Sequence, residues 1–453
     1  MITRSKGVLL PDGKPDLKAL AKVLKEFQTG RARLEDLRKA YDNNHAIEGR
    51  TRHKGLPNNK LAHAFPRYIV TMSAGYLLGK PVAYSAPDDQ KEKLDLLLDS
   101  YRMTDIDSVD AELAKDAAIY GRAVEILYSN EQSQPKAATL NPESAFVVYD
   151  DTVEAKPILG VYFHETYKAD GTPNGYIVNA HTENMRFTYS TKTIGGTLSF
   201  VEADATFFGG VPIIEYWNNE NEDGDFEHVM SLVDAYNVLE SDRVNDKEQF
   251  VDALLVLTGC TMQDDEKGRT PAQQLRQDKM LFLPDSDANA AYLAHALDEN
   301  NVEVLKNAIK ADIHKFSLVP DLTDMQFAGN GSGVAMRYKM LGLENLIRIK
   351  ERWFKQALRE RLRRFAAFLK TKAITDIDPD AVEMAFGRGL PVNELEISQM
   401  FANYTGRVPD ELLLGQVPFI DNPAEAFAKL EAQRAAEAKA SQAAFGMPMI
   451  DEE

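Results

Sequence analysis

The sequence predicts an α+β fold, mainly helical, with one antiparallel β-rich region. Three observations predict it. Apolar residues recur at helical spacing up to about residue 121, then give way to short β-rich runs between about 122 and 218. Turn chemistry such as Asp170-Gly171-Thr172-Pro173-Asn174-Gly175 and Gly195-Gly196 separates several of those runs. Helical spacing then returns in two long stretches. Composition narrows the function. The net charge of −18 excludes a generic basic nucleic-acid binder, whose affinity resides in phosphate-neutralising Lys and Arg. The lone cysteine, Cys260, excludes an intrachain disulfide framework and a multi-cysteine zinc site. The most membrane-like run, Tyr68 to Gly79, is too short to span a bilayer and reads as a buried helix.

Each element follows from local pattern. Residues 15–41 read as a helix through Leu17, Leu20, Val23, Leu24 and Phe27, with Gly30 interrupting and Leu34, Leu37 and Tyr41 continuing it. Residues 60–79 and 90–121 read as further helices. The strand runs are Ala123–Tyr128, Phe146–Tyr149, Ile158–Thr166, Gly175–His181, Met185–Tyr189, Thr197–Val201 and Val211–Trp217. Glu220, Glu222, Asp223, Asp225 and Glu227 sit where a helix N-terminus favours negative charge. The helix they open is expected over 226–258, apolar at its ends and polar from Glu240 to Gln249, a waist suited to a bundle or to lining a passage. Met280–Leu283 reads as a short strand, and 301–317 as helix. The stretch Pro320 to Gly333 ends in three glycines within five residues, a break of high backbone freedom. A long helix is then expected over 334–371, striped by Leu343, Leu346, Ile347, Phe354, Leu358, Leu362, Phe365 and Leu369. From Arg337 to Lys372 it carries twelve basic residues against three acidic ones. Residues Ala381–Phe386 are strand-like, and the Ala/Glu/Lys/Gln-rich end reads as a helix with a frayed tail.

No pattern carries catalysis. Gly75-Tyr-Leu-Leu-Gly79-Lys80-Pro81 has three residues between its glycines where a phosphate loop needs four, and Pro81 removes a backbone N–H. The eight histidines show no metal-binding spacing, and no G-x-S-x-G occurs. Neither a cofactor nor a metal is expected, and the chain is not expected to be an enzyme. The basic helix has two readings. Its cations meet acidic neighbours such as a partner subunit, or they contact nucleic acid. The residues concerned are Arg348, Lys350, Arg352, Lys355, Arg359 and Arg363.

Several segments together resemble the portal proteins of tailed bacteriophages, in the branch found in long non-contractile-tailed phages. Ser231-Leu-Val-Asp-Ala-Tyr-Asn-Val-Leu-Glu-Ser-Asp-Arg-Val-Asn-Asp246 with Phe250–Leu257, Val319–Asp324, and Ser332–Glu344 carry the resemblance. Asn58-Asn-Lys-Leu61, Gly75–Pro81 and Ala118–Glu125 support it, all in the family's order.

The resemblance implies a ring, usually of twelve subunits, at one vertex of the capsid. Double-stranded DNA passes through it without sequence preference, driven in by a terminase motor and later ejected. It implies a wing over 1–225, stem helices over 226–258 and 301–317, and a clip over 259–300. It further implies a tunnel loop over 318–333, the long helix 334–371, and a wing return and crown over 372–453. The tunnel-loop side chains implied to face DNA are Asp321, Thr323, Asp324, Met325, Gln326, Phe327, Asn330 and Ser332. Met280, Leu281, Phe282 and Leu283 of the clip are implied to contact a neighbouring subunit. Implied partners are further copies of the chain, the terminase large subunit, the major capsid protein and scaffold, and a head-completion adaptor, with no membrane. The place implied is the virion, after assembly in the host bacterial cytoplasm. Two other functions remain open at this point: a metal-dependent DNA-processing enzyme using Asp/Glu clusters, and a helical adaptor binding acidic partners through 334–371.

Overall fold

The computed structural model describes residues 1–251, 254–258, 270, 289–293, 299–323, 338–388, 394–414, 417, 420 and 423–444. The chain forms two compact units. One comprises Met1–Asn43, Ala64–His228 and His314–Glu453, and the other Asn44–His63 and Val229–Ile313.

The first unit begins with a one-turn helix α1 (Lys6–Leu9) and the long α2 (Leu17–Tyr41). Asp16 caps α2 by accepting a 2.8 Å bond from the Ala19 amide. The helix buries Leu20, Val23, Leu24, Phe27, Leu34 and Leu37, and it runs through Gly30 unbroken. A mid-helix glycine costs about 1 kcal/mol, which the apolar stripe on either side outweighs. Helix α3 (Phe65–Leu77) is shorter than expected, with a proline in its first turn. The single helix expected over 90–121 is two, α4 (Lys91–Met103) and α5 (Ile106–Tyr120). They part at Asp105, which takes the left-handed conformation that ends a helical run.

Helix α5 stops at Gly121, whose φ is +83° and whose absent Cβ would lie 1.7 Å from the Glu222 carbonyl oxygen. Only glycine fits there. The chain turns directly into β3 (Arg122–Ser129). This strand pairs antiparallel with β10 (Ile213–Trp217) and β4 (Pro135–Leu140). A six-stranded sheet runs in the order β1 (Ile2–Thr3), β5 (Ala145–Tyr149), β6 (Pro157–Tyr167), β7 (Pro173–His181), β8 (Met185–Thr191), β9 (Ser199–Ala205). It is antiparallel as expected, except that β1 joins β5 in parallel. Strand β2 (Ala83–Ser85) pairs with β13 (Glu383–Ala385). Between the two larger sheets lie Val124, Ile126, Val147, Val211 and Ile213. Since side chains alternate along a strand, the other face of β3 and β10 carries Glu125 and Tyr216, turned towards α8 (Leu341–Thr371). Helices α9 (Glu394–Tyr404), α10 (Asp410–Leu414) and α11 (Pro423–Ala444) follow.

The second unit holds α6 (Met230–Val251) and α7 (Glu299–Ser317), the last turn of α7 belonging to the first unit. The expected helix over 226–258 is corrected at its end. Leu254–Thr258 is a strand, β11, paired antiparallel with β12 (Asn289–Leu293). A run of Leu-Leu-Val-Leu-Thr suits a pleated pair as well as a helix, and pairing with a distant strand decides it. Within α6 one polar row is buried: Asn237, Ser241 and Asn245 are fully covered.

Candidate functional site: the loop root and the long basic helix

Residues 317–323 leave α7 through a tightly bonded turn. Leu318 takes a left-handed φ of +60°. His314 Nδ1 donates to the Val319 carbonyl at 2.9 Å. Tyr68, on α3, donates its hydroxyl to the Pro320 carbonyl at 2.8 Å and accepts the Leu322 amide at 3.1 Å. Asp321 accepts from the Thr323 amide at 3.0 Å and its hydroxyl at 2.6 Å, an Asx turn. The rings of Phe65 and Tyr68 meet His314 edge to face. The start of the Gly-rich segment is therefore anchored as far as Thr323.

Helix α8 begins at Leu341, and residues 334–337 of its expected span lie outside the described residues. Its buried stripe includes two cations. Lys350 stands four residues before Phe354, and Arg361 three after Leu358, both at core positions. Lys350 Nζ lies 2.6 Å from Asp225 Oδ2, with both side chains at most 2% exposed. Asn218 donates to the other Asp225 oxygen at 2.8 Å, and Ser73 also bonds Asp225. Arg361 is fully buried and pairs with Asp110 at 2.5 Å and Glu125 at 2.8 Å. Tyr216 donates to Glu125 at 2.7 Å. Burial pushes both carboxyls above their ordinary range, and Arg361 opposes that shift. Burial alone would lower the Arg361 guanidinium, but Asp110 and Glu125 hold it well above the usual arginine value. On the other face of the β3–β10 pair, Glu215 of β10 accepts from Arg122, the Val147 amide and the Tyr149 hydroxyl, each at 3.0 Å. Nearer the start of α8, burial and then the Glu344 hydrogen bond push the Tyr76 hydroxyl up to about 12.

The outer face of α8 borders a shallow groove of about 590 Å³, lined by Arg352, Lys355, Arg359 and Arg363 with Glu360 and Asp380. Arg359 donates to the carbonyls of Pro379, Asp380 and Val382, and Lys355 to that of Met384. Arg363 pairs with Glu360 and Asp380. Arg348 pairs with Glu344. Arg352 is exposed and has no partner among the described residues.

The structure thus separates the sequence-predicted cations. Lys350 is inside, closing an ion pair that removes it from any surface contact. Lys355 and Arg359 tie the helix to the 379–384 turn, while Arg348, Arg352 and Arg363 present charge to solvent. The acidic patch is also divided: Asp225 pairs with Lys350, and Glu227 with Arg33 at 2.5 Å. Of the tunnel-loop residues, Asp321 and Thr323 form the root turn. Asp324, Met325, Gln326, Phe327, Asn330 and Ser332 lie outside the described residues, as do Met280, Leu281, Phe282 and Leu283 of the expected clip strand. Sequence reasoning missed Arg361, Asp110 and Glu125. The signal was a carboxylate inside the apolar run Ala123–Leu127 and a cation at a stripe position of α8.

The described residues form a mixed α and β fold in which a long basic helix packs on an antiparallel sheet. The sequence matches the phage portal protein family, SPP1 Gp6-like, over residues 20–440, and the chain belongs to that family. It is similar to the portal protein of Bacillus phage SPP1, 23% identical over 397 residues, covering 83% of this chain and 76% of the relative. The portal protein of Clostridium phage phiCD119 is 22% identical over 388 residues, covering 82% and 83%. Among solved structures, a chain from "Neck of native GTA particle computed with C12 symmetry" matches with a TM-score of 0.45 at 12% identity, covering 85% of this chain and 94% of that one.

Proposed function

We propose that copies of this chain close into a ring, with twelve as the expected number, that forms the DNA channel at one capsid vertex. Double-stranded DNA passes inward under a terminase motor and outward on ejection, and a head-completion adaptor docks afterwards. The observation that carries this reading is membership of the portal family across nearly the whole chain. Charge supports it. The chain carries −18 overall, and many α8 cations bond within their own subunit, so few remain to grip phosphate and stall a sliding duplex. The exposed Arg348, Arg352 and Arg363 are assigned to a neighbouring subunit's acidic surface or to brief phosphate contacts.

The loop 318–333 is assigned to the channel wall, where Asp324 and its polar neighbours repel or weakly touch the duplex. Asp324→Lys adds a phosphate contact beyond the Asp321 turn and leaves that turn intact. Slowed or halted DNA movement in a packaging assay, with ring assembly unchanged, is the expected result. Packaging at the normal rate contradicts the loop's assignment.

A further inference from the structure

The motif Asn58-Asn-Lys-Leu61 finds its partner on the polar waist of α6. The Asn59 amide donates to Asn245 Oδ1 at 2.7 Å, the Leu61 amide to Ser241 Oγ at 2.9 Å, and the His63 amide to Asn237 Oδ1 at 2.9 Å. The three acceptors stand four residues apart along one helix face, a step of about 6 Å. The three donors stand two residues apart along an extended chain, a step of about 6.6 Å. The two repeats match, and the strap runs antiparallel to the helix. Two side chains add donors to the same oxygens: Asn59 Nδ2 to Asn245 at 3.1 Å, and the His63 ring to Asn237 at 3.0 Å. Directly after Ser241, Asp242 pairs with both Arg50 and Arg52.

The intervening residues face the other way. Asn58 donates to the Arg50 carbonyl at 3.1 Å and Lys60 to that of Glu48 at 2.5 Å. The strap is therefore folded back on itself, independently of the helix. A preformed segment loses less entropy when it docks.

We infer that the polar face of α6 is a docking groove for an extended main chain preceded by Arg-x-Arg, and that the strap of a second copy of this chain fits it as the cis strap does. Exchange of an identical element between protomers is a low-cost route to association. This site is separate from the channel reading, and its test involves no DNA.

The full-length chain carrying Asn59→Pro and Leu61→Pro loses two of the three amides. It is titrated with a fluorescent peptide of residues 48–64, after circular dichroism and gel filtration match the unmodified chain. Saturable binding is expected. N-methylation of the peptide at Asn59 should weaken it about tenfold, the effect of one well-made hydrogen bond. Replacing Arg50 and Arg52 by Ala should weaken it as well, and the unmodified chain, its groove filled, should bind far less peptide. Absence of binding up to about 100 µM, or equal binding of the N-methylated peptide, overturns the proposal. If the double-proline chain does not fold, amide exchange decides. Asn245→Ala in the otherwise unmodified chain should speed exchange at Asn59 about tenfold, and an unchanged rate overturns the groove.

Discussion

Replacing Arg361 with Met tests how the long helix is held to the sheet. Arg361 is fully buried, 2.5 Å from Asp110 and 2.8 Å from Glu125, with Glu125 itself fully covered. The substitution leaves two carboxylates without their only cation partner among the described residues. Removing one partner of a buried ion pair costs about 3–5 kcal/mol, so unfolding at pH 7 should lose about 4 kcal/mol. The loss is of paired charge rather than volume, since Met fills a similar space. The triple variant Arg361→Met, Glu125→Gln, Asp110→Asn should therefore recover about half or more of it, giving a coupling energy of about 2 kcal/mol. The pH dependence has a definite sign. Both carboxyls titrate above their ordinary range in the fold, so the fold takes up protons as pH falls. Without Arg361 that uptake is stronger, and the cost should shrink between pH 7 and pH 5. Trp217 and Trp353, ring centroids 5.3 Å apart, report unfolding by fluorescence in urea. Protein concentration must be held constant, because assembly shifts apparent stability. A single-variant cost below about 1 kcal/mol, or a triple variant less stable than the single one, refutes the argument.

Three further outcomes are expected. His181 is buried, stacked on Tyr162, and burial lowers its pKa to about 4. A lowered histidine favours the fold above its unfolded pKa and withdraws that support as pH falls, so between pH 7 and 4 the unmodified chain should lose about 3 kcal/mol relative to His181→Phe in urea titrations. Asp116 is half-buried and burial raises its carboxyl to about 6, so the fold favours the protonated form and loses stability as pH rises from about 4 to 6. Asp116→Asn should stabilise by about 1 kcal/mol at pH 7, a value reduced for solvent screening, and by nothing near pH 4, read from denaturation midpoints at the two pH values. Tyr68→Phe removes the hydroxyl that bridges Pro320 and Leu322, and the Leu322 amide should exchange about tenfold faster, whereas an unchanged rate means the root does not depend on it.

Much of the fold was legible because its elements are amphipathic. The stripes of α2 and α8, and the runs of β3 and β5 to β10, announce themselves by period. What escaped was decided by distant partners. Strand β4, Pro-Lys-Ala-Ala-Thr-Leu, has little β character and exists because β3 offers it an edge. Leu254–Thr258 reads as the end of a helix, and its pairing with the distant Asn289–Leu293 makes it a strand. The polar waist of α6 suits a bundle or the lining of a passage by sequence, whereas the buried row Asn237, Ser241 and Asn245 accepts the strap's amides, which no local pattern shows. The basic helix was legible as charge but not as direction. Lys350 and Arg361 turn inward because Asp225, Asp110 and Glu125 wait there, and no local pattern shows that.

The central claim is that copies of this chain enclose a channel. Electron microscopy of the purified full-length chain, without DNA or nucleotide, tests it most directly. Closed rings with an open axial channel are expected, with the loop 318–333 on the channel wall. Particles that remain single chains across a wide concentration range, or rings whose axis is filled, contradict it.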